Sequence, residues 1–94
     1  MKCYSVKVKI GETTNSYWST SSYKSLYKAG VSLIRSGARN GCCVRYVIRD
    51  YESGALYARL YCHWSETKRL WIARLSSGGN GGKHGLTYRE LRGC

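Results

Sequence analysis

The residues of this chain that are best suited to chemistry are its cations, which alternate with apolar residues inside strand-like and helix-like segments. The sequence has 16 Lys and Arg against 5 Asp and Glu, a formal net charge of +11. The acids fall mostly in turn-like stretches, so the charge belongs to the folded surface and not to a basic tail. Because such a surface repels itself, it indicates a polyanionic partner: nucleic acid, or an acidic protein groove that normally holds nucleic acid.

Few residues are placed for catalysis or metal binding. His63 and His84 are the two histidines, and one of them could serve as an acid–base catalyst beside Arg and Lys, as in small RNA-cutting toxins. The acids are scattered in turns, which does not suit a two-metal hydrolytic site. The cysteines lack CxxC spacing, so Cys62 beside His63 gives little support for zinc. We therefore predict a non-enzymatic protein with no metal site and no cofactor.

A Gly-rich segment near the end of the sequence resembles a phosphate-binding loop only superficially. Residues 78–84 read GGNGGKH, whereas the Walker spacing needs four residues between its first Gly and the Gly-Lys pair, with Ser or Thr after the Lys. Ser77 and His84 stand where the motif needs Gly and Ser or Thr. The composition instead predicts a flexible segment over 77–94, in which residues 85–94 form one short helical turn or stay loose.

Alternation of apolar and polar residues predicts the strands that position the cations. The strands are expected over Lys2–Ile10, Val44–Asp50, Leu56–His63 and Arg69–Leu75. In the last strand, the alternation allows two sets of side chains to point inward. One set is Leu70 and Ile72, and the other is Trp71, Ala73 and Leu75. Both faces of the sheet are therefore expected to be partly covered there.

One segment changes from the period of a strand to that of a helix. Apolar residues recur at helical spacing, which predicts an amphipathic helix over Ser21–Ser36. The Ser/Thr run at 19–22 offers N-caps, and Gly37 is expected to end the helix. Gly30 is expected to permit close contact between helix and sheet, at a cost of about 1 kcal/mol relative to Ala.

The resulting β-α-β-β-β order predicts an α+β fold, with an antiparallel β-sheet, one helix packed on one face and a Gly-rich C-terminal tail. Gly11–Asn15 is expected to be a polar turn and Tyr51–Gly54 a hairpin turn. The other sheet face would then be open to solvent. The side chains expected on it are Lys7, Lys9, Arg45, Arg49, Tyr57, Arg59 and Tyr61, with His63 as a further candidate.

The open face has two interpretations. Arg offers forked contacts to phosphate and Tyr offers a surface for bases, so the face could bind nucleic acid. Alternatively, Tyr–Arg cross-strand pairs only shield the sheet from water. We favour binding because no acid on this face neutralises the cations. Lys24, Lys28 and Arg35 form a second candidate strip on the outer helix face, for which an ordinary solvated surface is the simpler interpretation.

Length and cysteine usage bound the organisation of the chain. The 94 residues predict one α+β domain over 1–76, followed by the Gly-rich segment 77–94. No signal-peptide pattern opens the sequence, and no apolar run approaches the roughly 20 residues of a membrane span. The five cysteines are expected to be free thiols in a reducing compartment, which predicts a cytoplasmic location.

The layout and charge of the chain resemble those of small phage-encoded anti-CRISPR proteins, especially basic members that block type I surveillance complexes. Lys2–Ile10 corresponds to the first strand, Ser21–Ser36 to the helix and residues 44–75 to the meander, so the likeness covers most of the chain. The resemblance implies an inhibitor that acts inside a host cell on a nucleoprotein complex. The residues that would dock where the complex holds DNA or guide RNA are Lys7, Lys9, Arg45, Arg49 and Arg59.

Two alternatives stay open. A sequence-tolerant DNA- or RNA-binding accessory protein would use the same cationic face. The chain is also similar to ribosome-dependent RNA-cutting toxins, which are small, basic and rich in Arg on a sheet. That resemblance implies catalysis by His63 or His84, and Tyr88-Arg89 would match the basic-aromatic ending of the toxins.

Overall fold

The described fold is a single antiparallel sheet with one helix against it. The computed structural model describes the backbone of residues 2–78 and 86–92 and the side chains of residues 2–75. Its elements are β1 (Tyr4–Ile10), β2 (Thr13–Ser19), α1 (Tyr23–Asn40), β3 (Val44–Asp50), β4 (Leu56–Ser65), β5 (Leu70–Gly78) and β6 (Leu86–Arg92). The strand order is β2-β1-β3-β4-β5-β6, and α1 contacts β3, β4 and β5. The predicted α+β class is confirmed, and the β-α-β-β-β order is present as β1, α1, β3, β4 and β5.

Strand β2 occupies a segment that the sequence predicted to begin as a polar turn. Only Gly11 and Glu12 separate β1 from β2, and the strand then pairs with β1 along its whole length. Six of its seven residues are exposed, because β2 is the edge of the sheet and α1 does not cover it. An edge strand that is exposed on both faces needs no apolar alternation, which is why the periodicity did not indicate it.

Strand β6 likewise replaces the predicted helical turn or loose chain at the end of the sequence. Residues Leu86–Arg92 pair with β5 in antiparallel register, from Gly78↔Leu86 to Ile72↔Arg92. In β5, Ala73 and Leu75 face the helix, whereas Ile72 is buried on the other face of the sheet with 1% exposure. For residues 79–85 and 93–94, which lie outside the described residues, the predicted flexibility stays a prediction.

The helix is longer than the sequence predicted. Ser22 is its N-cap, and the Ser22 hydroxyl accepts a hydrogen bond of 3.2 Å from the Ser25 amide. The prediction that Gly37 ends the helix is wrong: Gly37 is buried within α1, and Gly41 is the C-cap, with a left-handed φ of 68° that favours glycine. The described part of the chain contains no helix with both the length and the apolar character of a membrane span.

The core lies between α1 and the inner faces of β1, β3, β4 and β5. Ile34, Ile48 and Leu60 are fully buried in it, each contributing roughly 1.5–3 kcal/mol of transfer free energy. Gly30 meets the ring of Tyr46 so closely that an added Cβ would lie 2.5 Å from Cδ1 of that ring. The expectation that Gly30 permits close contact between helix and sheet is therefore confirmed.

The β3–β4 hairpin turn is held by the one acid placed at the end of a strand. The Asp50 carboxylate contacts the Lys2 ammonium at 2.7 Å and accepts hydrogen bonds of 2.8 Å from both the Ser53 amide and the Ser53 hydroxyl. The Lys2 contact, followed by the two Ser53 hydrogen bonds, holds the pKa of Asp50 well below its usual range. The same carboxylate raises the pKa of Lys2.

Asp50→Asn is expected to lower the melting temperature at pH 7, and the difference from wild type should narrow below about pH 4. The folded pKa of Asp50 lies below the about 3.9 of a free Asp, so the stabilisation is present above that value and is lost progressively as the pH falls. Thermal unfolding followed by circular dichroism from pH 7 to pH 2 measures the difference. Glu52→Gln, in the same turn, is the control. If the difference in melting temperature between Asp50→Asn and wild type stayed constant over this pH range, the stabilising role of the Asp50 charge would be contradicted.

Candidate nucleic-acid interface

The face of the sheet that lies away from α1 collects six of the ten predicted binding residues. Strand alternation turns Val6, Tyr46 and Leu60 toward the helix and their neighbours to the other side. The register then places Lys9, Arg45 and Tyr61 in one row across β1, β3 and β4. A second row contains Lys7, Val47 and Arg59. We call the cationic face the surface formed by Lys7, Lys9, Arg45, Arg49, Arg59 and Tyr61.

These side chains surround a shallow groove. The groove has a volume of about 560 Å³ and is lined by Lys7, Arg45, Val47, Arg49, Arg59 and Tyr61. Val47 is only 9% exposed although no helix covers this side. Its partners in register are Lys7 and Arg59, whose long apolar stems are suited to covering it. Smaller depressions of about 250 and 270 Å³ extend the groove toward Thr14 and toward His63. The arrangement is an apolar floor edged by cations.

Acids do not neutralise this groove within residues 2–75. Glu12, Glu52 and Glu66 lie in turns between strands. Asp50 is paired in register with Tyr4, whose ring belongs to the helix-facing core, and it contacts Lys2. Strands β1 to β5 therefore contribute only neutral or positive side chains to the cationic face within residues 2–75, while Glu90 of β6 is paired in register with Arg74 at the far edge of the sheet. The cationic face would attract a polyanion.

Arg49 is held in place by the β3–β4 turn. Its Nη1 donates a hydrogen bond of 3.1 Å to the carbonyl oxygen of Gly54. A guanidinium has five N–H donors in a planar fork, so the remaining donors stay available to a ligand. Because the side chain is exposed and already oriented, Arg49 would lose less conformational entropy on binding phosphate than a free side chain would.

The prediction that Tyr57 lies on the open face is wrong, because a β-bulge reverses its direction. Ile48 pairs with Ala58 and Arg49 with Leu56, which leaves Tyr57 as an extra residue in β4. Its ring contacts Tyr4 edge-on, with ring centroids 5.4 Å apart, and packs against the helix-side core. Tyr57 is therefore a structural residue of the helix side.

The second predicted strip lies on the opposite side of the molecule. Lys24, Lys28 and Arg35 are exposed on the outer side of α1, whose inner side packs on the sheet. Spacings of four and seven residues place the three cations along one stripe. The structure thus places the predicted binding residues on two opposite surfaces, the cationic face and this helix strip. One ligand segment that lies on the sheet could not contact both surfaces.

Sequence reasoning missed two aromatic residues next to the cationic face. Trp18 is opposite Ser5 in the β1–β2 register, and Ser5 is opposite Arg49. Trp18 is 63% exposed and Tyr51 is 55% exposed, and their ring centroids are 6.4 Å apart. The only signal in the sequence was the presence of two large rings in polar segments. Without β2, nothing indicated which face Trp18 would occupy.

His63 lies at the margin of the groove. Its Nδ1 is 3.1 Å from the Trp64 carbonyl oxygen, and its ring is 5.6 Å from that of Tyr61. Donation from Nδ1 to that carbonyl favours the tautomer in which Nε2 is an acceptor. Cys62 points to the opposite side of β4, where its thiol contacts the Cys42 carbonyl oxygen at 3.0 Å and burial raises its pKa. His84 lies outside the described residues.

Comparisons of this chain with protein-family models, with curated proteins and with solved structures found no match.

Proposed function

We propose that this protein is a binding protein whose cationic face engages nucleic acid, either free or held in a host nucleoprotein complex. The observation that carries the proposal is one groove lined by Lys7, Arg45, Arg49 and Arg59, with no acid among its lining residues. Polyanion binding offsets the mutual repulsion of these cations. A surface that only shielded the sheet from water would need no such concentration of one charge.

The residues of the groove favour recognition of backbone over recognition of sequence. Lys and Arg contacts to phosphate fix affinity and orientation and carry no sequence information. Tyr61 offers a ring to any base, because every base has a stacking face. The proposed ligand is therefore a nucleic-acid segment of unrestricted sequence.

The resemblance to anti-CRISPR proteins makes the nucleic-acid path of a CRISPR surveillance complex the specific candidate target. A guide RNA or target strand displayed by such a complex presents the same phosphates as free nucleic acid. An inhibitor of this kind would act in the cytoplasm of the host cell. Its cationic face would occupy the position that DNA takes in the uninhibited complex.

Binding across a salt series tests the proposal. Fluorescence anisotropy should be measured with labelled duplex DNA, single-stranded DNA and RNA. The logarithm of the binding constant should fall linearly with the logarithm of the salt concentration. The expected slope is about −3.5 on a single strand if five phosphates are neutralised, from about −0.7 for each. Absence of binding to all three probes and to a purified CRISPR complex would contradict the proposal.

The same experiment separates the alternatives. Binding to the CRISPR complex without binding to free probes would support an inhibitor that recognises protein and nucleic acid together. With ribosomes added, cleavage of the RNA that disappears in His63→Ala or His84→Ala would support an RNA-cutting toxin instead; for His63 the acid–base group would be Nε2.

A further inference from the structure

Trp18 and Tyr51 form an exposed aromatic pair that the fold does not use in its core. Their side chains are 63% and 55% exposed, and their rings are 6.4 Å apart at an angle of 58°. Trp18 projects from the edge strand β2, and Tyr51 opens the β3–β4 turn. Leaving two large rings in water is unfavourable, so the pair indicates a surface that is covered by a partner.

The position of the pair indicates which partner covers it. In register, Trp18, Ser5 and Arg49 form one row across β2, β1 and β3, with neighbouring strands about 4.8 Å apart. Ser5 is short, so the surface between the indole and the guanidinium is low. Arg49 also lines the groove of the cationic face and is anchored to the Gly54 carbonyl. The aromatic pair thus continues the groove at one end.

We propose that the Trp18–Tyr51 pair stacks the bases of a single-stranded nucleic acid whose phosphates lie along the cationic face. This inference rests on the proposed function and specifies its ligand. In a duplex the bases are already stacked on one another and unavailable, whereas a single strand can place a base on an exposed ring. A single strand carries both bases and phosphates, so its bases could contact the Trp18–Tyr51 pair while its phosphates contact the cationic face.

The test compares two probes that differ only in their bases. One is a labelled oligo-dT and the other is a deoxyribose-phosphate strand of the same length without bases. Trp18→Ala is expected to weaken oligo-dT binding about 5- to 150-fold, the effect of removing one base–aromatic stack, and to leave the base-free strand unchanged. Trp18→Phe should keep most of the affinity because it keeps a ring. Trp64→Ala, which removes an exposed indole from the helix side, is the matched control.

The failure of this inference can be told apart from the failure of the proposed function. If wild type binds both probes equally and Trp18→Ala changes neither, the stacking role is wrong while backbone binding stands. If Trp18→Ala weakens both probes equally, the side chain supports the fold of the face and does not stack bases. If wild type binds neither probe at low salt, the stacking inference is wrong, and the proposed function is then decided by its own test on duplex DNA, RNA and the CRISPR complex.

Discussion

Arg45→Glu combined with Arg59→Glu is expected to lower the affinity for nucleic acid by about 100-fold or more. Removing one charge-assisted hydrogen bond costs about 1.5–3 kcal/mol, and each 1.4 kcal/mol is tenfold in the dissociation constant. The two residues lie on neighbouring strands and line the same groove, so both would contact one ligand segment. The introduced carboxylates would also repel phosphate, which further weakens binding.

The salt dependence of the double variant should change together with its affinity. On a single strand the slope should become about 0.7 less steep for each phosphate that the variant no longer neutralises. Both side chains are exposed, so the melting temperature should stay near that of wild type. Unchanged affinity in a folded double variant would show that the cationic face is not the binding surface.

Tyr46→Ala is expected to destabilise the fold by about 3–5 kcal/mol, the usual cost of removing a large buried ring. Tyr46 is 2% exposed, and its ring is the surface on which the helix rests at Gly30. No other aromatic ring in the described residues is as deeply buried as this one. A domain of this size is stable by only about 5–15 kcal/mol, so the variant would lose a large part of its stability. Urea unfolding followed by circular dichroism measures the change.

Tyr46→Phe is the matched control for the ring. The Tyr46 hydroxyl is buried without a hydrogen-bond partner among the described residues, and Tyr17 of the edge strand lies nearby. Burial, with Tyr17 nearby, raises the pKa of Tyr46 well above its usual range. Removing an unsatisfied hydroxyl should leave stability equal or higher. If Phe destabilises as much as Ala, the hydroxyl and not the ring supports the core.

Burial leaves a periodic signature in sequence, and the elements packed against the helix were predicted for that reason. β1, β3 and β4 carry apolar residues on the face that α1 covers, and α1 carries its own at helical spacing. The edge strand β2 has no such signature, because its polar side chains meet water on both faces. Its pairing is fixed by the backbone of β1, which sequence periodicity does not report.

The residues of the cationic face were predicted correctly where side chains alternate regularly along a strand. The prediction was wrong where a bulge breaks that alternation. Lys7, Lys9, Arg45 and Arg59 follow unbroken alternation and lie where they were expected. Tyr57 does not, because one extra residue in β4 reverses the direction of every side chain before it. A bulge of one residue is set by the pairing of two strands, so the composition of either strand alone does not reveal it.

The extent of helix α1 shows a similar limit. Gly37 was expected to end the helix because glycine is common at C-caps. In the fold it lies inside α1, where an added Cβ would be 2.5 Å from Cγ2 of Val44. The glycine therefore serves close packing of the helix on β3, and Gly41 takes the left-handed cap. A helix cap and a close packing contact both favour glycine, so the sequence alone does not tell which role a glycine has. The contact of Gly37 with β3 shows that its role is packing.

The most direct test of the central claim compares two double variants that change the net charge of +11 equally. One is Arg45→Glu with Arg59→Glu on the cationic face, and the other is Lys24→Glu with Lys28→Glu on the outer side of α1. Anisotropy of one labelled single strand should be measured at one near-physiological salt concentration. The cationic-face variant is predicted to bind about 100-fold or more weakly than wild type, while the helix variant stays close to wild type. Equal weakening in the two variants would mean that total charge, and not the cationic face, is responsible for binding.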